Sequence, residues 1–267
     1  MSNCPVIAGT NSVGLFSLSV VGGNITSTLP LDNLKNPWRG RPARITTTAT
    51  TVEIKGTSPS AITCSLLALV GHDLGYYRQI TVKLYSGQNQ TGTLLYNSGA
   101  MQSNRGDGTS IGDASDLWVY FPAVTCFSFT ITITGVPVGG LINIQHMILD
   151  NALQLARGFD SRALSFRFFE RAKLLTTSAG SGIPENGQKR IREFTWTFPA
   201  LDATDRMLLE MLEVASTGQL FYVVSFPEGS SREKLLLAMM CRLQGDVVYH
   251  STGRGANNAV TLAFREA

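Results

Sequence analysis

The stretch from Arg192 to Phe226 constrains the fold of this chain more than any other. Phe194, Trp196 and Phe198 alternate with two threonines, and alternation with a period of two is typical of a strand with one buried face. Pro199 follows directly and is expected to end that strand. The chain is therefore expected to build a sheet around this segment.

A helix is expected to follow, from about residue 202 to 217. Asp202 can cap its N-terminus, and Gly218 can supply a left-handed residue at its C-terminus. One apolar stripe runs along it, formed by Leu208, Met211, Leu212 and Ala215. The apolar run at 220–226 then predicts a returning strand. Together these elements predict the centre of an α+β sandwich with one flanking helix.

The length of 267 residues suits two domains. We expect a β-sandwich at 1–150 and the α+β sandwich at 151–267. The net charge of +3 lacks the strong basic excess of a dedicated nucleic-acid binder. No run of eighteen apolar residues and no signal peptide are present, so we expect no membrane span and synthesis in a cytosol.

The first domain is expected to be rich in strands. Gly/Asn/Ser/Asp-rich turns separate short segments of high β-propensity, and no convincing helix intervenes. About eight strands predict a two-sheet sandwich of jelly-roll type. The predicted strands include 46–54, 62–70, 79–85, 116–121, 126–134 and 141–149.

The loop around Trp38 is the candidate binding segment. Trp38 is flanked by Arg39, Arg41 and Arg44, and an aromatic face beside planar guanidinium groups suits a sugar or a phosphate. The alternative is that Trp38 plugs one end of the sandwich while the arginines stay solvated. Both interpretations remain open at this point.

The cysteines and histidines give no metal-binding or catalytic pattern. Cys4, Cys64, Cys126 and Cys241 are far apart in the sequence, and we expect four free, buried and inert thiols. His72 and Asp73 are neighbours on a predicted strand, so their side chains should face opposite ways. No nucleophile elbow, phosphate loop or dinucleotide fingerprint occurs. We therefore expect no enzyme, no cofactor and no metal.

The second domain contains the chain's one charge asymmetry. Between Arg157 and Arg192 there are eight basic and three acidic residues, which could face an acidic partner or remain solvated. Further on, 235–243 is expected to be a strand although its composition also suits a helix. The segments 247–250 and 260–264 are expected to form a hairpin.

Several of these segments resemble proteins of tailed-bacteriophage virions. The segments 30–39, 66–74 and 80–85 are similar to an N-terminal half of discoidin or galactose-binding jelly-roll type. The segments 221–227 and 260–267 resemble the ends of phage tail-tube and distal-tail modules. In the usual distal tail protein the ring-forming module comes first, and here the order is reversed.

The resemblance implies a structural protein of the tail tip or baseplate. It would form a homo-oligomeric ring, usually hexameric, contact other tail proteins and reach the virion after assembly in the host cytoplasm. The alternative function is a carbohydrate-binding module that touches the host surface through Trp38, Arg39 and Arg41 and the loop at 103–115. A third option, an enzyme, would need converging carboxylates between the two domains.

Overall fold

The computed structural model describes residues 4–9, 11–36, 41–74, 78–102, 116–156, 158–160, 164–169, 174–176, 182–184, 191–201, 220–228, 238–244, 248–251 and 258–266. The helix predicted at 202–217 lies outside these ranges. Among the described residues the protein is mainly β, and all paired strands are antiparallel. Within these ranges three short 3-10 helices accompany the strands, at Ser12–Leu15, Leu31–Lys35 and Gln88–Gln90.

The N-terminal part of the described chain supplies eleven strands. In chain order these are β1 (Val6–Ala8), β2 (Ser17–Val21), β3 (Gly23–Ile25), β4 (Ala43–Thr47), β5 (Thr51–His72), β6 (Gln79–Tyr85), β7 (Leu94–Asn97), β8 (Met101–Gln102), β9 (Leu117–Thr134), β10 (Leu141–Asp150) and β11 (Leu153–Gln154).

Strands β2 to β10 form one hydrogen-bonded sheet that folds into two layers. Its order is β3-β4-β10-β5-β9-β6-β7, with β2 on β5 and β8 on β6. The long strands β5 and β9 cross from one layer to the other at two register shifts, between Thr57 and Ile62 and between Cys64 and Leu66. Residues from both halves of β5 share one buried cluster, the first core, which includes Val52, Ile54, Leu67 and Leu69. The result is a β-sandwich of jelly-roll type.

The second half of β5 is buried on both faces. Leu67 and Leu69 belong to the first core, whereas the alternate residues Leu66, Ala68 and Val70 pack against a second sheet. Side chains alternate across a strand, so a continuous apolar run is expected where both faces are covered. This explains why the run from Leu66 to Val70 contains only apolar residues.

The remaining strands come from the C-terminal part of the chain. They are β12 (Ser165–Phe169), β13 (Leu174–Thr176), β14 (Gly182–Pro184), β15 (Ile191–Leu201), β16 (Phe221–Val224), β17 (Ala238–Leu243), β18 (Val248–Ser251) and β19 (Asn258–Glu266). The second sheet has the order β11-β1-β16-β17-β19-β15-β12, with β18 also on β19, and β13 pairs with β14.

The second sheet has its own aromatic core on the face away from the sandwich. Trp196 is fully buried there, stacks on Phe159 with ring centroids 5.6 Å apart, and donates a 3.0 Å hydrogen bond from Nε1 to Ser225 Oγ. Phe194 and Phe198 belong to the same cluster, as the alternation predicts. The N-terminal strand β1 also lies in this sheet, between β11 and β16.

Three sequence expectations about strand limits were wrong. Pro199 does not end its strand, because β15 continues to Leu201; the register with β19 is irregular between Phe198 and Leu201, where a residue without an N–H is tolerated. The strand predicted at 46–54 is interrupted, since β4 ends at Thr47 and β5 begins at Thr51. The strands predicted at 116–121 and 126–134 are one continuous strand, β9.

Other expectations are confirmed. The limits predicted for 79–85 match β6, and those for 141–149 differ from β10 by one residue. Residues 238–243 are a strand rather than a helix. The C-terminal hairpin is present, because β18 pairs antiparallel with β19.

Candidate functional site

Several strand ends meet at one end of the sandwich, which we call the loop end. Ile144 of β10 pairs with Ala43 at the start of β4 and with His72 at the end of β5. Leu117, at the start of β9, pairs with Leu69 of β5. Ala43 follows the predicted Trp38 loop in the sequence, and Leu117 follows the predicted 103–115 loop. Both residues therefore lie at this end of the sandwich.

The loop end carries a chain of polar contacts that we call the Arg44 cluster, formed by Arg44, Asn143 and Asp73. Arg44 Nε donates a 2.8 Å hydrogen bond to Asn143 Oδ1. The Asn143 backbone N–H donates to Asp73 Oδ1 at 2.8 Å, and its side-chain amide donates to Asp73 Oδ2. Asn143 therefore holds the guanidinium on one side and the carboxylate on the other.

The strand pattern explains why these three residues meet. Asn143 and Arg44 are Cα partners in the β10–β4 ladder. Ile142 and Ile144 are buried in the first core, so Asn143 between them faces the other way. The Asp73 backbone N–H then donates to the Asn143 carbonyl at 3.1 Å, which extends the ladder past the end of β5.

The cluster has the chemistry of a polar recognition site. Asp73 is exposed, and Arg44 and Asn143 are half-buried. An ionised carboxylate can accept several hydrogen bonds, an amide both donates and accepts, and a guanidinium presents five N–H donors in a fixed fork. The internal hydrogen bonds already fix these side chains. Ligand binding therefore costs little additional side-chain conformational entropy.

The sequence-predicted site residues are only partly described. Arg41 is exposed and lies three residues before Arg44. Trp38 and Arg39 lie outside the described residues, as does the whole 103–115 loop. Sequence reasoning missed Asn143, although its position between two buried isoleucines indicates an outward-facing amide.

A buried ionic network lies behind the loop end and joins the sandwich to the second sheet. The guanidinium of Arg192 on β15 forms two hydrogen bonds to Glu266, from Nε and Nη2, each 3.1 Å long, and its Nη1 donates to the Ala238 carbonyl at 3.0 Å. Arg192 Nη2 also lies 3.7 Å from Asp116 Oδ2. Asp116 in turn accepts a 2.9 Å hydrogen bond from the Gly71 backbone N–H.

This network changes the role expected for Arg192. The sequence placed it at the end of a basic stretch that could face an acidic partner, yet it is 6% exposed and pairs with acidic residues of its own chain. Burial alone lowers the pKa of Arg192, but the hydrogen bonds to Glu266 and the negative charges of Asp116 and Glu266 raise it overall. Arg192 therefore stays positively charged and links the two sheets through its ion pairs with Glu266 and Asp116.

His72 and His146 are both buried. His72 is buried whereas Asp73 is exposed, so the two side chains lie on opposite faces, as expected. His146 is buried beside Asn11, with 3.3 Å between Asn11 Nδ2 and His146 Nε2. Asn11 also donates to the Met147 carbonyl at 2.8 Å, so this contact fixes the N-terminal segment against β10.

Within the described ranges, no group of three or more histidine, cysteine or acidic residues is arranged to hold a metal ion. None of the helices in this part of the chain is long and apolar enough to cross a membrane. The four cysteines are free and buried, as predicted.

No family model and no curated protein match the sequence. Three similar solved structures are a chitosan-binding module from a chitosanase/glucanase of Paenibacillus sp. IK-5, a family 32 carbohydrate-binding module of C. perfringens NanJ in complex with galactose, and a GH29 fucosidase of Ruminococcus gnavus in complex with fucose.

The similarity to these structures is distant. The chitosan-binding module has a TM-score of 0.41 and 11% identity, and the match covers 52% of this chain and 98% of the module. The NanJ module has a TM-score of 0.39 and 14% identity, with 54% and 98% covered. The fucosidase has a TM-score of 0.40 and 15% identity, with 54% of this chain and 27% of the fucosidase covered. Each TM-score is below 0.5, so none of these similarities establishes a function for this chain.

Proposed function

We propose that this protein binds carbohydrate at the loop end of its β-sandwich, and that the Arg44 cluster forms the polar centre of the site. The observation that supports the proposal is the hydrogen-bonded chain from Arg44 through Asn143 to the exposed Asp73. The Arg44 cluster lies at the loop end, where strands β4 and β9 begin after the two predicted binding loops in the sequence.

Sugars suit this set of groups. Neighbouring hydroxyls of a pyranose each donate and accept, so they pair with a carboxylate, an amide and a guanidinium held side by side. Hydrogen bonds to charged groups contribute about 1.5–3 kcal/mol each, more than bonds between neutral groups. The proposal assigns recognition to these residues and no catalytic step.

Trp38 is proposed to supply an apolar platform for the sugar ring. Aromatic side chains combine a large apolar face with a polar edge, and small-molecule sites usually pair such faces with a few polar groups. Arg39 and Arg41 would then lie at the rim of the site. Arg41 is exposed, as that position requires.

A glycan array of the purified full chain tests the proposal. Asp73→Ala removes the acceptor at the end of the cluster, and Trp38→Ala removes the proposed platform. Each variant should lower the apparent affinity for the bound glycans by about 10- to 100-fold, because about 1.4 kcal/mol corresponds to a factor of ten. Thermal melting of each variant checks that the chain is still folded.

Glu53→Ala is the matched control. Glu53 is a half-buried carboxylate on β5, where it pairs with Lys55 at 3.0 Å, and it lies outside the Arg44 cluster. It should bind every glycan as the unaltered protein does. An array without signal from folded protein, or equal loss in the Glu53 and Asp73 variants, would reject the proposal.

A second candidate is a ring-forming structural protein of a phage tail, and the observation that favours it is the pairing of β1. Residues 6–8 lie far from β16 in the sequence, yet they pair with it and with β11 in the second sheet. The same pairing could be made by the N-terminal segment of a neighbouring copy, and repeated exchange would close a ring. Light scattering at two concentrations tests this: a mass near six subunits, or another closed ring, supports it, and a stable monomer argues against it.

A further inference from the structure

Two cysteines that are far apart in the sequence lie in contact at the corner of the sandwich. Cys64 of β5 and Cys126 of β9 are separated by 62 positions, yet their sulfur atoms are 3.8 Å apart. Both side chains are 0% exposed. The two other cysteines lie elsewhere: Cys4 donates to the Ala156 carbonyl, and Cys241 belongs to the core of the second sheet.

The strand register around this pair is irregular. Cys64 is the Cα partner of Val124, and Cys126 is the partner of Ile62, so the cysteines are diagonal neighbours. Register shifts flank the pair, between Thr57 and Ile62 and between Cys64 and Leu66. A disulfide needs its sulfurs at about 2.05 Å, so the two strands must move closer by a small amount. A ladder already interrupted on both sides of the pair resists that movement less than a regular one.

We propose that Cys64 and Cys126 are an oxidisable dithiol, which a hydroperoxide converts into an intramolecular disulfide across the corner of the sandwich. A hydroperoxide is the class of oxidant that suits the site, because it is small enough to reach a buried thiol during local opening of the strands. The inference does not depend on carbohydrate binding.

The reaction has two balanced steps. With hydrogen peroxide, the Cys126 thiolate attacks a peroxide oxygen, the O–O bond breaks, and a sulfenic acid and hydroxide form; this hydroxide takes up the proton that Cys126 released on ionising and becomes the first water. The Cys64 sulfur then attacks the sulfenic sulfur, the S–S bond forms and the S–O bond breaks. The leaving hydroxide takes the Cys64 proton and becomes water. The two thiols lose two electrons, and the peroxide is reduced to two waters.

The electrostatics of the pair favour Cys126 as the thiol that reacts first. The hydrogen bond with Cys126, together with burial, raises the pKa of the Cys64 thiol. Either sulfur can donate in this hydrogen bond, and when the Cys64 S–H donates, the pKa of Cys126 is lowered. Cys126 is therefore the thiol that ionises first and attacks the peroxide, and Cys64 resolves the intermediate.

The disulfide would lock the two layers of the sandwich at their corner. Cross-linking residues so far apart removes much conformational freedom from the unfolded chain. We expect the oxidised protein to melt about 5–10 °C higher than the reduced protein. In a reducing cytosol the pair would stay as thiols, and outside a cell it would close.

Peptide mapping of the full chain tests the proposal. The folded protein is treated with hydrogen peroxide, quenched with catalase, unfolded in the presence of N-ethylmaleimide and digested with trypsin. Trypsin releases Cys64 in peptide 56–78 and Cys126 in peptide 106–157. We expect these two peptides to be disulfide-linked, with Cys4 and Cys241 alkylated, and the link should disappear after treatment with a reductant.

Cysteine variants separate the proposed pair from the other thiols. Cys4→Ala and Cys241→Ala should keep the linked peptide and the rise in melting temperature, whereas Cys126→Ala should lose both. If the variants at 64 or 126 fail to fold, the mapping of the unaltered chain still decides. Alkylation of both Cys64 and Cys126 after peroxide, oxidation of either without a link, or a link that involves Cys4 or Cys241 would overturn the proposal.

Discussion

At the scale of single residues, Gly56 shows how an absent side chain shapes the first core. Gly56 of β5 is the Cα partner of Phe129 in β9, and a Cβ at position 56 would overlap the Phe129 ring. Phe129 is fully buried and makes an edge contact with Phe16, with ring centroids 5.1 Å apart. The aromatic ring occupies the space that a side chain at 56 would need.

Gly56→Ala should therefore destabilise the protein. Inserting a methyl group into a packed core forces side chains or backbone to shift and typically costs about 1–3 kcal/mol. The free energy of unfolding from urea titration measures the effect. Gly14→Ala is the control, because a Cβ at Gly14 meets nothing within 4 Å; equal stability of the two variants would contradict the packing described for Phe129.

Single residues also show what the sequence can and cannot predict. Alternation correctly predicted that Phe194, Trp196 and Phe198 share a buried face. It could not predict that Arg192 is buried, because a charged residue becomes tolerable inside only when its partner is present, and Glu266 lies 74 positions away.

At the scale of elements, β1 ties the N-terminus to the C-terminal sheet. It pairs with β11 and β16, and its residues are buried. Ile7 faces the aromatic core of the second sheet, whereas Val6 and Ala8 face the sandwich. This short strand therefore contributes to two cores.

Ile7→Ala should cost about 2–4 kcal/mol, because it removes buried methyl and methylene groups and leaves a cavity. Ile25→Ala is the matched control, since Ile25 lies on β3 and is 42% exposed, against 3% for Ile7. It should cost less than about 1 kcal/mol. Thermal or urea unfolding of the two variants gives the comparison, and a similar loss in both would mean that β1 is not held as described.

Strands with a strong hydrophobic alternation could be predicted from the sequence. Strands whose limits or pairing depend on distant parts of the sequence could not. The alternation of Ile80, Val82 and Leu84 gave the limits of β6, because one face of the strand is buried and the other is polar. The continuity of β9 through Pro122 could not be foreseen, since Pro122 is exposed near a register irregularity that depends on β5. The pairing of β1 with β16 is likewise a contact between distant parts of the sequence.

At the scale of the whole molecule, the sandwich and the second sheet pack together. Leu66, Trp118 and Ile148 of the sandwich share a buried cluster with Tyr222 and Met240 of the second sheet. The Arg192 network and a 3.3 Å hydrogen bond from the Tyr120 hydroxyl to Gln154 Oε1 add polar links. The two parts are therefore expected to stabilise each other.

The Tyr120 link predicts a weakening of the protein in alkali. Burial raises the pKa of Tyr120 above its usual value of 10. The folded state thus favours the neutral phenol. Its contribution to the free energy of unfolding is complete below pH 10 and is lost as the pH rises from 10 through the raised pKa of the folded state. Urea unfolding at pH 8 to 11 should show a steeper loss of stability in the unaltered protein than in Tyr120→Phe; parallel curves would contradict the assignment.

The candidate site was predictable only in outline. A Trp- and Arg-rich segment between predicted strands indicates a site at one end of the sandwich, because loops that join strands gather at strand ends. The meeting of Arg44, Asn143 and Asp73 required the β4–β10 and β10–β5 registers, which are set by long-range packing.

Titration of the full chain by calorimetry with its strongest array glycan tests carbohydrate binding at the loop end most directly. The proposal predicts saturable binding at one site per chain, weakened about 10- to 100-fold by Asp73→Ala and unchanged by Glu53→Ala. Folded protein that binds no glycan on the array, or that binds its glycan equally well without the Asp73 carboxylate, would contradict it.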